Sequence, residues 1–169
     1  DTEMSLESQY PRMLANLAQV EINEIETGKF AKNKIKKAKV LAAKDQLKKI
    51  PFDYCSIAGK PFEEIFSIMR KWVTKTVGTD ENGRTNDCLV IFDYIKLMDA
   101  SSITKNMQEY QAIGFLMHAL QNFCVKYDLP ILGFVQLNRD GITKEGVESA
   151  SGSDRIVWVC SSYNIVKRK

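Results

Sequence analysis

The chain has 169 residues, of which 44% are hydrophobic and 27% are charged, and its net charge is +3. These values are typical of a globular domain with a sizeable core, and the charge is too small to indicate nucleic-acid binding by itself. The sequence contains no apolar run long enough for a membrane span. The chain opens on a motif-like stretch and closes inside what reads as a strand, so we expect residues 1–169 to be a single domain truncated at both ends.

Four cysteines are widely separated along the chain and form no C-x-x-C pair. Three of them lie in or beside apolar stretches. We therefore expect buried free thiols in a reducing compartment and no zinc site. The cysteines are Cys55, Cys88, Cys124 and Cys160.

Two helices are predicted near the start of the chain. Ser5 is the expected N-cap of the first, and Glu7 lies in the first turn, where the helix dipole favours an acid. Pro11 must sit early in this helix or kink it. Residues 21–28 predict a short second helix. We expect the first helix to bury Met13, Leu14, Leu17 and Val20.

A third helix is predicted over residues 31–50, and Pro51 stops it. Many lysines lie between Lys29 and Lys49, but they occupy several faces of the pattern and no aromatic residue interleaves with them from 31 to 50. We interpret them mostly as a solvated surface. The residues expected to face inward are Ile35, Val40, Leu41 and Leu47.

A short strand is predicted over residues 52–57, followed by a helix that Pro61 starts and by a polar loop over 78–87. After the central strands described next come a loop over 137–153 and two short apolar segments, 156–160 and 165–166. The apolar face of the helix after Pro61 includes Ile65, Ile68, Met69 and Trp72.

Two apolar strands carry most of the information in this sequence. Residues 89–93 end in Asp93, residues 131–136 end in Gln136, and residues 107–127 between them predict a helix. A strand, a helix and a second strand form a βαβ unit whose strands lie parallel. Their C-terminal ends then share the edge where ligands of open α/β sheets bind. We predict an α/β fold with a mainly parallel sheet flanked by helices, and expect Asp93 and Gln136 to lie side by side.

Asp93 and Gln136 each have two interpretations. An Asp at a strand tip can orient Mg²⁺ beside nucleotide phosphates, but it often only begins a turn. The amide of Gln136 can donate to a phosphate oxygen and accept from water, but it can equally cap a loop. The residues alone leave both alternatives open.

Three ordered motifs resemble the replicative DNA helicases of the DnaB family, including their phage relatives. They are DYIKLM from Asp93, NMQEYQAIG from Asn106 and LPILGFVQLNR from Leu129. The opening residues 1–5 with 12–15 are similar to the segment that follows the family's nucleotide-binding loop. Residues 25–30 and 149–156 also fall where the family has similar stretches.

The resemblance implies a RecA-like ATPase core, a partial P-loop NTPase fold that uses ATP and Mg²⁺. It further implies a 5'-3' type helicase that works as a homohexameric ring on single-stranded DNA, with a primase and a helicase loader as candidate partners. It implies no membrane association and a cytoplasmic location, in the host if the protein is phage-encoded.

The resemblance also assigns roles to three side chains. Asp93 would hold Mg²⁺ through water, Glu3 would be the catalytic base, and Gln136 would contact the γ-phosphate. Because Tyr94 is not a carboxylate, a base must come from a neighbouring strand, which favours Glu3. The alternative for Glu3 is a solvated acid near a helix start.

The resemblance also implies roles for two further groups of residues, from their positions in the sequence. The loop with Asn138, Arg139, Gly141, Lys144 and Gly146 would contact DNA through cations and backbone N–H groups, although a mobile surface loop is an alternative. Lys105 is a weaker second candidate. The last three residues of the chain are basic: Lys167, Arg168 and Lys169. They would supply cations to the ATP of a neighbouring subunit, or simply face solvent.

No G-x-x-x-x-G-K-[ST] motif occurs in the sequence. The family places this loop shortly before the equivalent of Glu3, so we expect truncation, and expect the 169 residues alone neither to hydrolyse ATP well nor to unwind DNA. A catalytically inactive RecA-like structural or DNA-binding module is the main alternative. A recombinase or clock-type ATPase is a third, disfavoured by DYIKLM and QLNR.

Overall fold

The structure is a computed structural model that describes residues 1–96, 109–136 and 154–166. The chain forms two compact units. The first contains Asp1 and Glu3–Ser56, and the second contains Thr2 and Ile57–Lys169. In the described ranges, no helix is both long and apolar enough to cross a membrane.

The first unit is helical. It contains α1 (Leu6–Ala18), α2 (Ile22–Glu26), a 3-10 turn (Lys29–Lys32) and α3 (Lys34–Leu47). Ser5 caps α1 as predicted, because its hydroxyl accepts from the backbone N–H of Ser8 at 3.4 Å. The side chain of Asn33 caps α3 in the same way, accepting from two backbone N–H groups at 2.9 and 3.2 Å. Pro11 lies inside α1.

The core of the first unit forms where α1 packs against α3. On α3 the buried Val40 and Ala43 and the half-buried Leu47 fall at i, i+3 and i+7 on one face. Ile35 and Leu41 lie outside that face and are 70% and 52% exposed, so the prediction that they face inward is wrong. Leu17 of α1 is also exposed, against expectation. The buried residues are Leu14, Ala18, Val20, Val40 and Ala43.

The predicted strand over residues 52–57 is wrong. These residues have no regular secondary structure. A strand needs a ladder of backbone hydrogen bonds. Here the amino group of Asp1 donates to the carbonyl of Cys55 at 3.0 Å. The phenol of Tyr54 donates to the carbonyl of Met4 at 2.8 Å, so side-chain contacts hold this segment.

The second unit is α/β. It contains α4 (Phe62–Trp72), a π-helical turn (Val73–Val77), β1 (Val90–Phe92), α5 (Glu109–Tyr127), β2 (Ile131–Gly133) and α6 (Asp154–Val159). The two strands pair in parallel, with Val90 opposite Ile131 and Phe92 opposite Gly133, which confirms the predicted βαβ unit. The apolar segment 156–160 belongs mostly to α6, and residues 161–166 form no strand, contrary to the expected closing strand.

One hydrophobic cluster joins α4, β1, α5 and α6 in the second unit. Ile65, Val73, Leu116 and Ile156 are its most deeply buried large side chains. Ile65 and Met69 are buried on α4, as predicted, and Trp72 packs against the cluster. This cluster anchors the helix that crosses over between the two parallel strands.

All four cysteines are free thiols. Cys88 and Cys124 are half-buried and Cys55 and Cys160 are exposed, so the expectation that such thiols are buried is wrong. The partial burial of Cys88 and Cys124 removes water from both thiols and raises the pKa of each.

Candidate functional site

The pairing of β1 and β2 continues past the ends of both strands. The backbone N–H of Phe134 donates to the carbonyl of Phe92 at 3.0 Å, and the N–H of Ile95 donates to the carbonyl of Phe134 at 2.8 Å. These bonds hold residues 93–95 beside residues 134–136. The polar ends of the two strands therefore meet at one edge of the sheet.

A cavity of about 280 Å³ opens at this edge. Asp93 and Gln136 both line it, which is the juxtaposition expected from the sequence, and both side chains are exposed. The cavity thus combines a carboxylate and an amide on an apolar wall. Its other lining residues are Tyr94, Phe134 and Val135.

Gly133 allows the two strand ends to approach closely. A Cβ atom at this position would lie 2.7 Å from Cδ1 of Ile95, a side chain that is itself buried. A larger residue would therefore require the side chain of Ile95 to shift.

Thr2 is attached to the same edge. Its backbone N–H donates to the carbonyl of Asp93 at 2.7 Å, and its hydroxyl accepts from the backbone N–H of Tyr94 at 3.2 Å. Thr2 is 3% exposed and is the buried polar residue of the described core. These two bonds hold the backbone on both sides of the peptide bond that follows Asp93, a bond that is cis. No local pattern signals this role, since its partners lie 91 and 92 residues away.

Removing the hydroxyl of Thr2 tests its structural role. We expect Thr2→Val, which keeps the shape of the side chain, to lower the free energy of unfolding of the second unit by about 1 kcal/mol, because the partly buried N–H of Tyr94 loses this acceptor. Urea denaturation followed by tryptophan fluorescence measures this loss, since both tryptophans, Trp72 and Trp158, belong to the second unit.

Thr2→Ser is the matched control. It keeps the hydroxyl, so its unfolding midpoint should lie nearer to that of the unchanged protein than the midpoint of Thr2→Val. An unfolding midpoint for Thr2→Val equal to that of the unchanged protein would show that the hydrogen bond does not contribute.

Glu3 belongs to the first unit. Its backbone N–H and that of Met4 donate to the carboxylate of Asp1, at 2.8 and 2.9 Å, and this turn leads into α1. Glu3 is exposed. Its role as a catalytic base stays a prediction.

Several predicted site residues lie outside the described part of the chain. Lys105 is one of them. The five residues of the predicted DNA-contacting loop are others: Asn138, Arg139, Gly141, Lys144 and Gly146. The basic residues Lys167, Arg168 and Lys169 complete the set.

The donor set of the cavity fits magnesium bound together with a nucleotide. Among the described residues, no cluster of three His, Cys, Asp or Glu side chains could hold a metal ion alone. Mg²⁺ needs only one or two carboxylates when phosphate and water oxygens complete its shell. The single carboxylate of Asp93 meets that requirement.

Comparison with known proteins identifies the family. A comparison with curated proteins finds no match. Residues 1–149 match the family model of the DnaB-like helicase C terminal domain, which covers 149 of the 169 residues and both sides of the cavity. The chain therefore belongs to the DnaB-like helicase C-terminal domain family, a family of replicative helicases whose domain is RecA-like.

Proposed function

We propose that this chain is the motor domain of a replicative DNA helicase that couples ATP hydrolysis to unwinding in a hexameric ring. The observation that carries the proposal is the meeting of Asp93 and Gln136 at one cavity, on the C-terminal edge of parallel strands. Ligands of open α/β sheets bind at that edge. Membership of the DnaB-like family supports the same activity.

Asp93 would hold Mg²⁺ through a water molecule at the tip of β1. Bound Mg²⁺ and ATP would supply the phosphate bond that is broken and the positive charge that offsets the phosphate oxygens. Thr2 and the Phe92–Phe134 bond hold the backbone around Asp93. The carboxylate would therefore meet the ligand with little reorganisation.

Glu3 would take the proton of the attacking water, and Gln136 would donate its amide hydrogen to a phosphate oxygen. Membership of the DnaB-like family supports Glu3 as the base. The amide of Gln136 would also sense the loss of the phosphate, since it can accept from water afterwards.

The roles of the remaining predicted site residues are proposed from the family resemblance. The loop with Arg139 and Lys144 would contact single-stranded DNA, with Lys105 as a second contact. The basic residues Lys167, Arg168 and Lys169 would reach the ATP of the next subunit in the ring. From the same resemblance we also propose a primase and a helicase loader as partners, and a phage as the source of the protein.

A catalytically inactive RecA-like module is the second candidate function. The absence of a G-x-x-x-x-G-K-[ST] motif from the 169 residues favours it. The retention of Glu3, Asp93 and Gln136 opposes it, because a module without catalysis has no use for all three. The motor is therefore the function we favour.

Substitution of the proposed base tests the motor directly. In the full-length protein we expect Glu3→Gln to lower kcat for DNA-stimulated ATP hydrolysis about a hundredfold and to leave KM nearly unchanged, because the amide cannot accept the proton but keeps the shape of the side chain. Turnover is measured by phosphate release with and without single-stranded DNA, and unwinding on a forked duplex.

Glu7→Gln is the matched control, since Glu7 lies on the first turn of α1 and loses the same charge. Its kcat should stay within about twofold of the unchanged protein. If the full-length protein neither hydrolyses ATP nor unwinds DNA, the inactive module replaces the motor. If Glu3→Gln retains full turnover, another residue is the base.

A further inference from the structure

The first unit carries a strongly basic segment. Residues 29–50 contain nine lysines and one acidic residue, Asp45, whereas residues 1–27 contain one cation, Arg12, and six acids. The overall charge of +3 conceals this separation. The nine lysines are Lys29, Lys32, Lys34, Lys36, Lys37, Lys39, Lys44, Lys48 and Lys49.

Four of these lysines lie along one side of α3. Lys34, Lys37, Lys44 and Lys48 occupy positions i, i+3, i+10 and i+14, which fall in line on a helix. All four are exposed, and we call this set the lysine stripe. The face of α3 that contains Val40 and Ala43 is buried against α1, so the helix is anchored while the stripe faces solvent.

Most of the stripe has no counter-charge among the described residues. Lys36, which is not in the stripe, pairs with Glu24 at 2.7 Å, and Lys48 approaches Asp45 at 3.9 Å with both side chains exposed. Within the described ranges, no carboxylate lies within ion-pair distance of Lys34, Lys37 or Lys44.

The helix dipole does not explain the stripe. Cations stabilise the last turn of a helix, which accounts for Lys44 and Lys48. Lys34 and Lys37 lie in the first turn, where the dipole disfavours cations, and that turn contains no acid. These two lysines oppose the stability of α3, so a function outside the fold is the better account of them.

We propose that the lysine stripe binds the phosphate backbone of nucleic acid, independently of base sequence. Lysine side chains contact phosphates as point charges, and no aromatic residue of α3 is present to stack on bases. The stripe extends about 21 Å from Lys34 to Lys48 at 1.5 Å per residue, which corresponds to roughly six base pairs of a duplex. None of these four lysines is among the residues proposed for the ATP cavity or for the DNA loop.

Nucleic acid fits the stripe better than an acidic protein does. The stripe carries almost only positive charge, and Leu41 is the one exposed apolar residue at its centre. The core of a protein interface, in contrast, is depleted of charged residues. A row of like charges matches the regular charge of a phosphate backbone. The chain also belongs to a family of DNA helicases.

Salt-dependent binding tests the proposal. The 169-residue chain, without nucleotide, is titrated against a labelled mixed-sequence duplex of about 20 base pairs, and anisotropy is recorded from about 50 to about 200 mM salt. We expect the triple variant Lys34→Gln, Lys37→Gln, Lys44→Gln to weaken binding about tenfold or more and to reduce the slope of log K against log salt by about 2.7, since each phosphate contact contributes about 0.9.

A second triple variant controls for net charge. Lys71→Gln, Lys75→Gln and Lys126→Gln remove the same charge from exposed lysines of the second unit, and we expect the slope to be unchanged. The variant Lys34→Arg, Lys37→Arg, Lys44→Arg keeps the charge and should keep the affinity. Circular dichroism checks that α3 remains folded in each variant.

Three results would overturn the proposal. They are no binding of the duplex by the unchanged chain, equal weakening by the two glutamine variants, and unchanged DNA affinity in the stripe variant. Loss of poly-glutamate binding together with unchanged DNA affinity would assign the stripe to an acidic protein partner instead. Because the assay contains no ATP, its result does not depend on whether the proposed motor function is correct.

Discussion

Asp93→Asn is expected to lower DNA-stimulated ATP turnover of the full-length protein about a thousandfold, because in the proposed mechanism it removes the charge that would hold Mg²⁺ at the tip of β1. A loss of about 4 kcal/mol of transition-state stabilisation corresponds to this factor. The cavity offers no second carboxylate, since the other described residues that line it are Tyr94, Phe134, Val135 and Gln136. Phosphate release at several Mg²⁺ concentrations measures the effect.

The matched control is Asp87→Asn. Asp87 is exposed and lies before the start of β1, at the opposite end of the strand from Asp93, so the charge change is the same at the other edge of the sheet. We expect turnover within about twofold of the unchanged protein for this variant. Turnover that is equally high in Asp93→Asn would remove Asp93 from the metal site.

The second large effect concerns stability. Leu116 is 1% exposed and lies on α5, within the cluster that joins this helix to α4 and β1. We expect Leu116→Ala to lower the free energy of unfolding of the second unit by about 3 kcal/mol, because it removes buried apolar surface and leaves a cavity. Urea denaturation followed by tryptophan fluorescence reports this unit, since Trp72 packs against the same cluster.

Phe115→Ala is the adjacent control. Phe115 also lies on α5 but is 57% exposed, so the substitution should cost about 0.5 kcal/mol or less. A loss for Phe115→Ala as large as that for Leu116→Ala would mean that another surface covers Phe115 in solution.

The βαβ unit could be predicted from the sequence because its signals are local. Two short apolar runs, each ending in one polar residue, enclose a helix of nineteen residues, and the handedness and direction of such connections are restricted. The parallel pairing then places Asp93 and Gln136 at one edge without further information. The family resemblance, which rested on the same residues, is confirmed by the match over residues 1–149.

The wrong predictions concern segments whose structure depends on contacts with other parts of the chain. Residues 52–57 have the composition of a strand but form no ladder, and residues 161–166, where a closing strand was expected, form no strand either. On α3, apolar residues occur around much of the helix, so the pattern left open which face turns inward. Contact with α1 selects the face of Val40 and Ala43 and leaves Ile35 in solvent.

Thr2 shows why part of the candidate site escaped prediction. A small polar residue between two acids carries no pattern, and its burial follows only from bonds to Asp93 and Tyr94, far along the chain. Conversely, the sequence shows that this segment is rich in lysine. Which of the lysines lie along one side of the helix depends on the bounds of α3.

The position of Thr2 also affects the order of events during synthesis. Thr2 is synthesised 91 and 92 residues before its hydrogen-bond partners, a delay of roughly 5–20 s at ordinary elongation rates. Residues 3–56 are complete within this interval and have their own core. The helical segment that follows Thr2 can therefore assemble before Thr2 forms its hydrogen bonds beside the sheet.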